Sequence, residues 1–326
     1  MQVTVFTAAG AQEKSVADLP SLLHGEHPAA CVWVDMTWAN MAHPDPEDLR
    51  TLEQVFKFHP LAIEDTRNHR QRPKIEEYAD YFFLIMNAVS YRNGDLVFRE
   101  LDVFFGRNYL VTVRYTNEPV IDTMRQRIST RLDTNKENMC SMLMYHLALA
   151  VVDSYFPIID KVALDIDRLE ETITANPQRV KLDQLFALKR DLTEMWRIAS
   201  QQRDMFNVMM HRDLFAPNHT MQYYFRDVYD HLLLINDLIN MHRDMAASLL
   251  DFHLSVSSNR LNLVVNRLAV ITIVTSVFTV ISGFYGMNFL ENILDFSDPL
   301  GALKALIMMV AAAVGVLVLL KKRGFF

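Results

Sequence analysis

Cysteine and glycine are both scarce in this chain of 326 residues, which has two of the first and nine of the second. Cys31 and Cys140 stand far apart and form no CxxC pair, so neither a disulfide framework nor a cysteine zinc site is expected. Nine glycines and eleven prolines exclude a collagen-like or linker-dominated chain and favour long uninterrupted helices. Positive charge is also short: 32 Lys and Arg against 39 Asp and Glu leave a net −7. Nucleic acid is therefore not expected as a partner, because phosphate binding needs a basic surface. The opening Met1-Gln2-Val3-Thr4-Val5-Phe6 lacks the basic flank of a signal peptide, and Gln2 excludes myristoylation. No GxGxxG, GxxxxGKS/T, GxSxG or HExxH motif occurs, so no enzyme, organic cofactor or ATP coupling is expected. His211-Arg212-Asp213 and His242-Arg243-Asp244 imitate a kinase catalytic triplet, but they fall in helical periodicity without a glycine-rich loop or DFG and read as surface charge.

Apolar residues, by contrast, are plentiful. They make up 51% of the chain, and the mean hydropathy of +0.06 exceeds that of an ordinary soluble protein. The excess lies at the C-terminal end. Residues 268–290, 23 in all, include no charged side chain; as a helix they would reach about 34 Å, enough for a hydrocarbon core of about 30 Å with some tilt. A second run, 300–320, contains only Lys304, close enough to its start to snorkel. Residues 291–299 leave room for a tight loop only, so the sequence predicts a two-span hairpin in the lipid bilayer. Arg260 and Arg267 precede the first span and the basic tail 321–326 follows the second, whereas the loop carries Glu291, Asp295 and Asp298. Positive residues stay inside, which puts both termini in the cytoplasm and the acidic loop outside the cell (inner) membrane. Residues 261–326 carry +2 and residues 1–260 the remaining −9, an acidic cytosolic body on a small membrane part.

That body begins as an α/β domain, residues 1–130. Residues 3–8 and 31–38 are β-branched and apolar, and Asp45-Pro46 opens a helix with Asp45 as N-cap and Pro46 at the first position. Residues 81–91, 96–105 and 109–115 read as antiparallel strands joined by Asn93-Gly94, a turn that needs positive φ, and by Gly106-Arg107-Asn108. Helical spacing then takes over in 137–174 and 178–212, broken at Asn176-Pro177 into an antiparallel hairpin domain, 131–217, with a kink expected at Pro157. A stalk, 218–267, follows. Between Pro217 and Gly283 there is neither proline nor glycine, so one helix should run from about Met221 through the first span (268–290), on the order of 100 Å. Alone it could not bury its apolar stripe; it must pack on copies of itself or on the hairpin.

Two spans cannot enclose a water-filled path, so transport would require a ring of subunits. Asn262, Val265, Ala269, Thr272, Ser276, Thr279 and Gly283 fall at spacings of three and four on one face of the first span. Small and hydroxyl residues serve equally for helix contact and for lining a pore, and spacing leaves both readings open.

The residues that end the span decide between them. Ser282-Gly283-Phe284-Tyr285-Gly286-Met287-Asn288-Phe289 contains the Gly-Met-Asn triplet that resembles the signature of the CorA magnesium transporter family. His59-Pro60-Leu61-Ala62-Ile63-Glu64-Asp65 and Gln71-Arg72-Pro73-Lys74-Ile75-Glu76 resemble the family's N-terminal domain, and Tyr224-Phe225-Arg226-Asp227-Val228-Tyr229-Asp230-His231 its stalk. With two terminal spans and a basic tail, the likeness covers essentially the whole chain.

The resemblance implies a homopentamer whose first span lines the pore, with Asn262, Thr279 and Asn288 facing it beside Thr272 and Ser276, and Leu268 near a hydrophobic constriction. Mg2+ dehydrates reluctantly. A selectivity filter of Gly286, Met287 and Asn288 would therefore accept the hydrated ion through uncharged oxygens, Gly286 letting the backbone approach closely. Without the resemblance the same triplet reads as a helix C-cap. The resemblance further implies that Mg2+ is both transported and regulatory, with Asp65 and Asp227 holding it between neighbouring subunits and Glu64 and Asp251 as further candidates; hard cations prefer oxygen. Glu291, Asp295 and Asp298 would concentrate cations outside without choosing among them. Many members follow the triplet with Met-Pro-Glu-Leu, where this chain has Leu290-Glu291-Asn292-Ile293. That departure leaves Mg2+, Co2+ and Ni2+ all open, with a zinc-transporting relative, or a membrane-anchored sensor or scaffold, as alternatives.

Overall fold

The computed structural model describes the chain apart from residues 8–9, 25–30, 39–43, 69–70, 93, 116–118, 132–138, 178–179, 181, 214, 216–217, 287–300 and 324–326. It divides into two compact units, Met1–Glu170 with Lys181–Ser248, and Glu171–Val180 with Leu249–Phe326.

The first unit is built on a seven-stranded mixed sheet. Its strands are β1 (Gln2–Thr7), β2 (Gly10–Lys14), β3 (Cys31–Thr37), β4 (Lys74–Glu77), β5 (Tyr81–Arg92), β6 (Asp95–Gly106) and β7 (Tyr109–Arg114), in the spatial order β2-β1-β3-β7-β6-β5-β4. The three strands expected between residues 81 and 115 pair antiparallel as predicted, and β3 joins β7 in parallel. The β5–β6 hairpin closes at Arg92 and Asp95 with Gly94 at φ +94°, the positive angle such a turn requires. At the next reversal a Cβ on Gly106 would overlap the ring of Tyr109, so only glycine fits.

Because side chains alternate along a strand, each buried strand feeds two cores. On one face Val32, Val34, Phe83, Ile85, Phe104 and Val111 pack with Leu52, Phe58, Ala62 and Ile63. Leu52 comes from the wider turn Thr51–Val55 that continues α2 (Pro46–Arg50), Phe58 from the residues after it, and Ala62 and Ile63 from α3 (Pro60–Arg67); Leu19 and Leu23 of α1 (Leu19–His24) join the same core. Asp45 caps α2 as expected, accepting from the Glu47 amide at 2.9 Å, with Pro46 in the first turn. The other face meets α4 (Pro119–Arg131), α5 (Met139–Asp153) and α7 (Leu182–Met209). Here Asp35 is buried among the hydroxyl of Thr112 (2.9 Å) and the guanidiniums of Arg114 (2.7 Å) and Arg125 (3.2 Å).

This face corrects one expectation. Cys31 and Cys140 form a disulfide, with Cα atoms 5.4 Å apart across a separation of 109 residues. Their distance in sequence says nothing about their distance in space once β3 and α5 lie against each other. The helical pattern of 137–174 also divides rather than kinks: α5 ends at Asp153, Ser154–Tyr155 turn, and α6 (Phe156–Ala175) begins with Pro157 in its first turn, where no amide donor is needed.

The predicted long helix is present as α8 (His219–Tyr285), 67 residues without interruption. In the first unit its residues Met221, Phe225, Val228, Leu232, Ile235 and Ile239 are fully buried, a stripe at spacings of three and four. In the second unit its apolar side chains are exposed, Leu268 at 58% and Val280 at 70%, as are Ile307 and Leu319 on α9 (Gly301–Lys322) at 60% and 61%. Met139–Ala175 is also apolar enough to cross a membrane, but 72% of its most apolar window is buried, which makes it core.

Candidate functional site

The residues expected to line a cation pathway occupy the exposed part of α8. Asn262, Leu268, Thr272, Ser276 and Thr279 all lie at the surface of the chain. The Thr272 hydroxyl donates to the Leu268 carbonyl at 2.9 Å, Thr275 to Ile271 at 2.8 Å, and Thr279 to Thr275 at 3.0 Å. A hydroxyl has one proton and two lone pairs. Spending the proton on the helix's own backbone leaves each of these threonines an acceptor toward whatever lies beside it. Thr272, Ile273, Ser276, Val277, Val280 and Ile281 line a shallow groove of about 400 Å³ on this surface. At the end of α8 the Gly286 amide still donates to the Ser282 carbonyl at 2.9 Å. Met287 and Asn288 of the expected filter, and Glu291, Asp295 and Asp298 of the loop, lie outside the described residues.

The regulatory candidates sit elsewhere. α3 starts at Pro60, with the His59 imidazole accepting from the Leu61 amide at 3.2 Å, and turns Ala62, Ile63 and Thr66 into the core. Glu64 is thereby exposed and Asp65 is left at the edge, about a quarter exposed. Lys74, on edge strand β4, donates to Asp65 Oδ2 at 2.6 Å and to Glu76 Oε1 at 2.7 Å. Burial works against the ammonium, but these two hydrogen bonds carry its pKa above the ordinary lysine value. Glu76 also accepts from Tyr78 at 2.9 Å, and burial together with that carboxylate raises the phenol's pKa. Behind them Asp102, on β6, is wholly buried with neither oxygen hydrogen-bonded among the described residues. Burial, then Glu100 and Asp65, drive its carboxyl well above the usual range.

Asp227, on α8, is half exposed and accepts from the Tyr145 hydroxyl of α5 at 3.3 Å. Burial, and then this carboxylate, push the Tyr145 phenol up to about 12. His231 lies one turn on, 3.9 Å from Asp227 and, by its other ring nitrogen, 3.6 Å from Asp153, which pairs with Arg127 at 2.7 Å. Asp251 is exposed on α8 in the second unit. Within one chain Asp65 and Asp227 hold different partners, and no three His, Cys, Asp or Glu come together among the described residues to hold a metal. The donor set nonetheless suits a hard divalent cation, since both residues offer carboxylate oxygens within reach of solvent.

Sequence reasoning did not single out Lys74, Asp102, Tyr145 or His231. Asp102 carried a signal, a charge in the middle of the apolar strand Leu101-Asp102-Val103-Phe104-Phe105. The kinase-like triplets resolve into structural roles. His211-Arg212-Asp213 follows α7 rather than continuing it, with Arg212 paired to Glu77 at 3.1 Å, and His242 is buried, not surface, its imidazole 2.8 Å from the Leu238 carbonyl.

Comparison with known proteins matches residues 33–322 to the sequence family described as CorA-like Mg2+ transporter protein. YfjQ of Bacillus subtilis, named as a metal ion transporter, is 31% identical over 298 residues, 90% of this chain and 91% of its own. The cobalt/magnesium transport protein CorA of Thermotoga maritima is 29% identical over 293 residues, 89% of this chain and 82% of its own. Among solved structures, the complete CorA magnesium transporter of Methanocaldococcus jannaschii superposes with a TM-score of 0.82 at 19% identity, over 100% of this chain and 98% of that one. The cytoplasmic domain of ZntB from Vibrio parahaemolyticus gives 0.58 at 14% identity, over 80% and 97%. At those identities the superpositions speak to the fold alone.

Proposed function

The chain belongs to the CorA-like Mg2+ transporter family, whose members are membrane transporters of divalent cations rather than enzymes, and from that premise we propose that it is a homopentameric channel for Mg2+, with Co2+ and Ni2+ also admitted. The observation that carries the reading is the face of α8 on which Thr272, Thr275 and Thr279 have turned their protons into the helix. The waters around a Mg2+ ion point their own protons outward. A wall of pure acceptors receives them without stripping the shell, which this ion gives up reluctantly. Asn288, just past Gly286, would add a ring of amide oxygens at the outer mouth, and the acidic loop would raise the cation concentration there. Leu268 would narrow the inner part of the path.

Flow would be passive and inward, driven by an inside-negative potential worth about 2.3 kcal/mol per charge per 100 mV. Asp65 of one subunit and Asp227 of the next would close a regulatory cation site, with Glu64 and Asp251 contributing. Filled, the site holds neighbouring cytosolic bodies together and the pore shut; emptied, its carboxylates repel and α8 tilts. Both termini are then cytoplasmic. A coupling of about 1–3 kcal/mol per site suffices when repeated around the ring.

Purified protein in liposomes should pass Mg2+ and Co2+, and Asn288→Ala should abolish selective uptake while leaving the oligomer intact by native mass measurement. Zn2+ flux in preference to Mg2+ would favour the zinc-transporting alternative. Absence of any flux would favour a membrane-anchored sensor or scaffold. Asp65→Asn with Asp227→Asn should weaken inhibition by internal Mg2+, and unchanged inhibition would refute their assignment.

A further inference from the structure

Asp65 is not a bare ligand. Its Oδ2 is held by the ammonium of Lys74, which reaches Glu76 at the same time. We propose that Lys74 is a tethered counter-cation, occupying Asp65 when no divalent ion does and so setting the cytosolic concentration at which the regulatory ion takes hold. The inference rests on reading Asp65 as a regulatory ligand.

Three features of the geometry support competition over a static clamp. First, the pair is reachable: the Lys74 and Asp65 side chains are 28% and 26% exposed. Second, Lys74 has somewhere to go. Glu76 lies 2.7 Å from the same nitrogen, and the face of Phe83 is 5.6 Å away, so an ammonium that releases Asp65 keeps a carboxylate and a π-surface instead of being stranded. Third, the charge balance around it is lopsided. Asp65 and Glu76 both bind this one ammonium, two carboxylates against a single positive charge. A second cation is therefore electrostatically welcome at Asp65, but only once the first has moved aside. A divalent ion seated on Asp65 would lie about 5 Å from an unmoved ammonium, and that repulsion, even in a largely aqueous dielectric, corresponds to about tenfold in binding.

The test is Mg2+ binding by isothermal titration calorimetry to the full-length protein in detergent, independent of transport. Lys74→Gln should lower the Kd for the regulatory Mg2+ about tenfold. Lys74→Arg keeps the charge and grips a carboxylate with a planar fork, so its Kd should equal or exceed that of the parent. Asp65→Asn should abolish the site, and adding Lys74→Gln to it should restore nothing. Should Asp65→Asn abolish binding while Lys74→Gln leaves Kd unchanged or raises it, the lysine only pins β4 to α3 and the inference falls, with the Asp65 reading intact. Should Asp65→Asn leave binding untouched, the Asp65 reading itself fails. Were Lys74→Gln not to fold, tighter binding by Lys74→Arg would by itself overturn the competition, and weaker binding would support it.

Discussion

Replacing Asp102 by asparagine asks how the protein tolerates a carboxyl in the centre of its sheet. Asp102 stands between Ile85 and Val113 on neighbouring strands, without exposed surface and without a hydrogen bond to either oxygen among the described residues. Burial first, then Glu100 and Asp65, raise its pKa well above the usual value, and Lys74 offsets part of that. An acid whose folded pKa is raised keeps its proton in the native state after the unfolded chain has lost its own, above about pH 4. Between the two pKa values unfolding therefore releases a proton, and the native state loses about 1.4 kcal/mol for every unit that pH rises. Below the unfolded pKa the penalty is absent. Asparagine has the same shape and cannot ionise, so Asp102→Asn should remove this slope, while its amide meets the same unpaired surroundings at a pH-independent cost of about 1–3 kcal/mol. The variant should thus start less stable at pH 5 and gain on the parent as pH rises. At about 2 °C per kcal/mol for a chain of this length, the melting midpoints should converge by roughly 3 °C per pH unit. Scanning fluorimetry of both full-length proteins in detergent from pH 5 to 8 makes the measurement. Parallel profiles would mean that Asp102 is ionised in the native protein, and the reasoning would be wrong.

Three further outcomes follow from named contacts. Asp35→Ala leaves the buried Arg114 without its carboxylate and should cost about 3–5 kcal/mol, most of it recovered when Arg114→Met is added; a melting series on the two variants and their combination checks this. Cys140→Ser, or a reductant able to reach the buried bond, should lower stability by up to about 4–5 kcal/mol, the chain-entropy value for a loop near 100 residues, and an unchanged midpoint would deny the link to Cys31. Thr279→Val removes a hydroxyl already satisfied by its own helix, so folding should change by less than about 1 kcal/mol while Mg2+ flux in liposomes falls. Normal flux would assign this face to helix contact instead.

The elements that could be read in advance share a local cause. The β5–β6 hairpin follows from alternating apolar residues around Asn93-Gly94, the start of α2 from Asp45-Pro46, and α8 from the absence of any proline or glycine between Pro217 and Gly283; each depends on neighbours within a few positions. Pro157 shows the edge of that method. Its ring removes an interior amide donor, but spacing does not say whether the helix bends or breaks there; it breaks at Ser154–Tyr155, where the wholly buried Tyr155 hydroxyl donates to the Asn87 carbonyl of β5 at 3.0 Å.

Composition and periodicity alone were sufficient for two long apolar helices near the C-terminal end, the first of them continuous from the acidic α/β body onward, because hydropathy and helix-breaking are properties of short windows of chain. They argued against the Cys31–Cys140 bond, and they were silent on Lys74 sitting on Asp65, on the interment of Asp102 and on Tyr145 at Asp227. Each of these joins segments that only sheet register and helix docking bring within a few ångströms, and no spacing along the chain encodes such a distance.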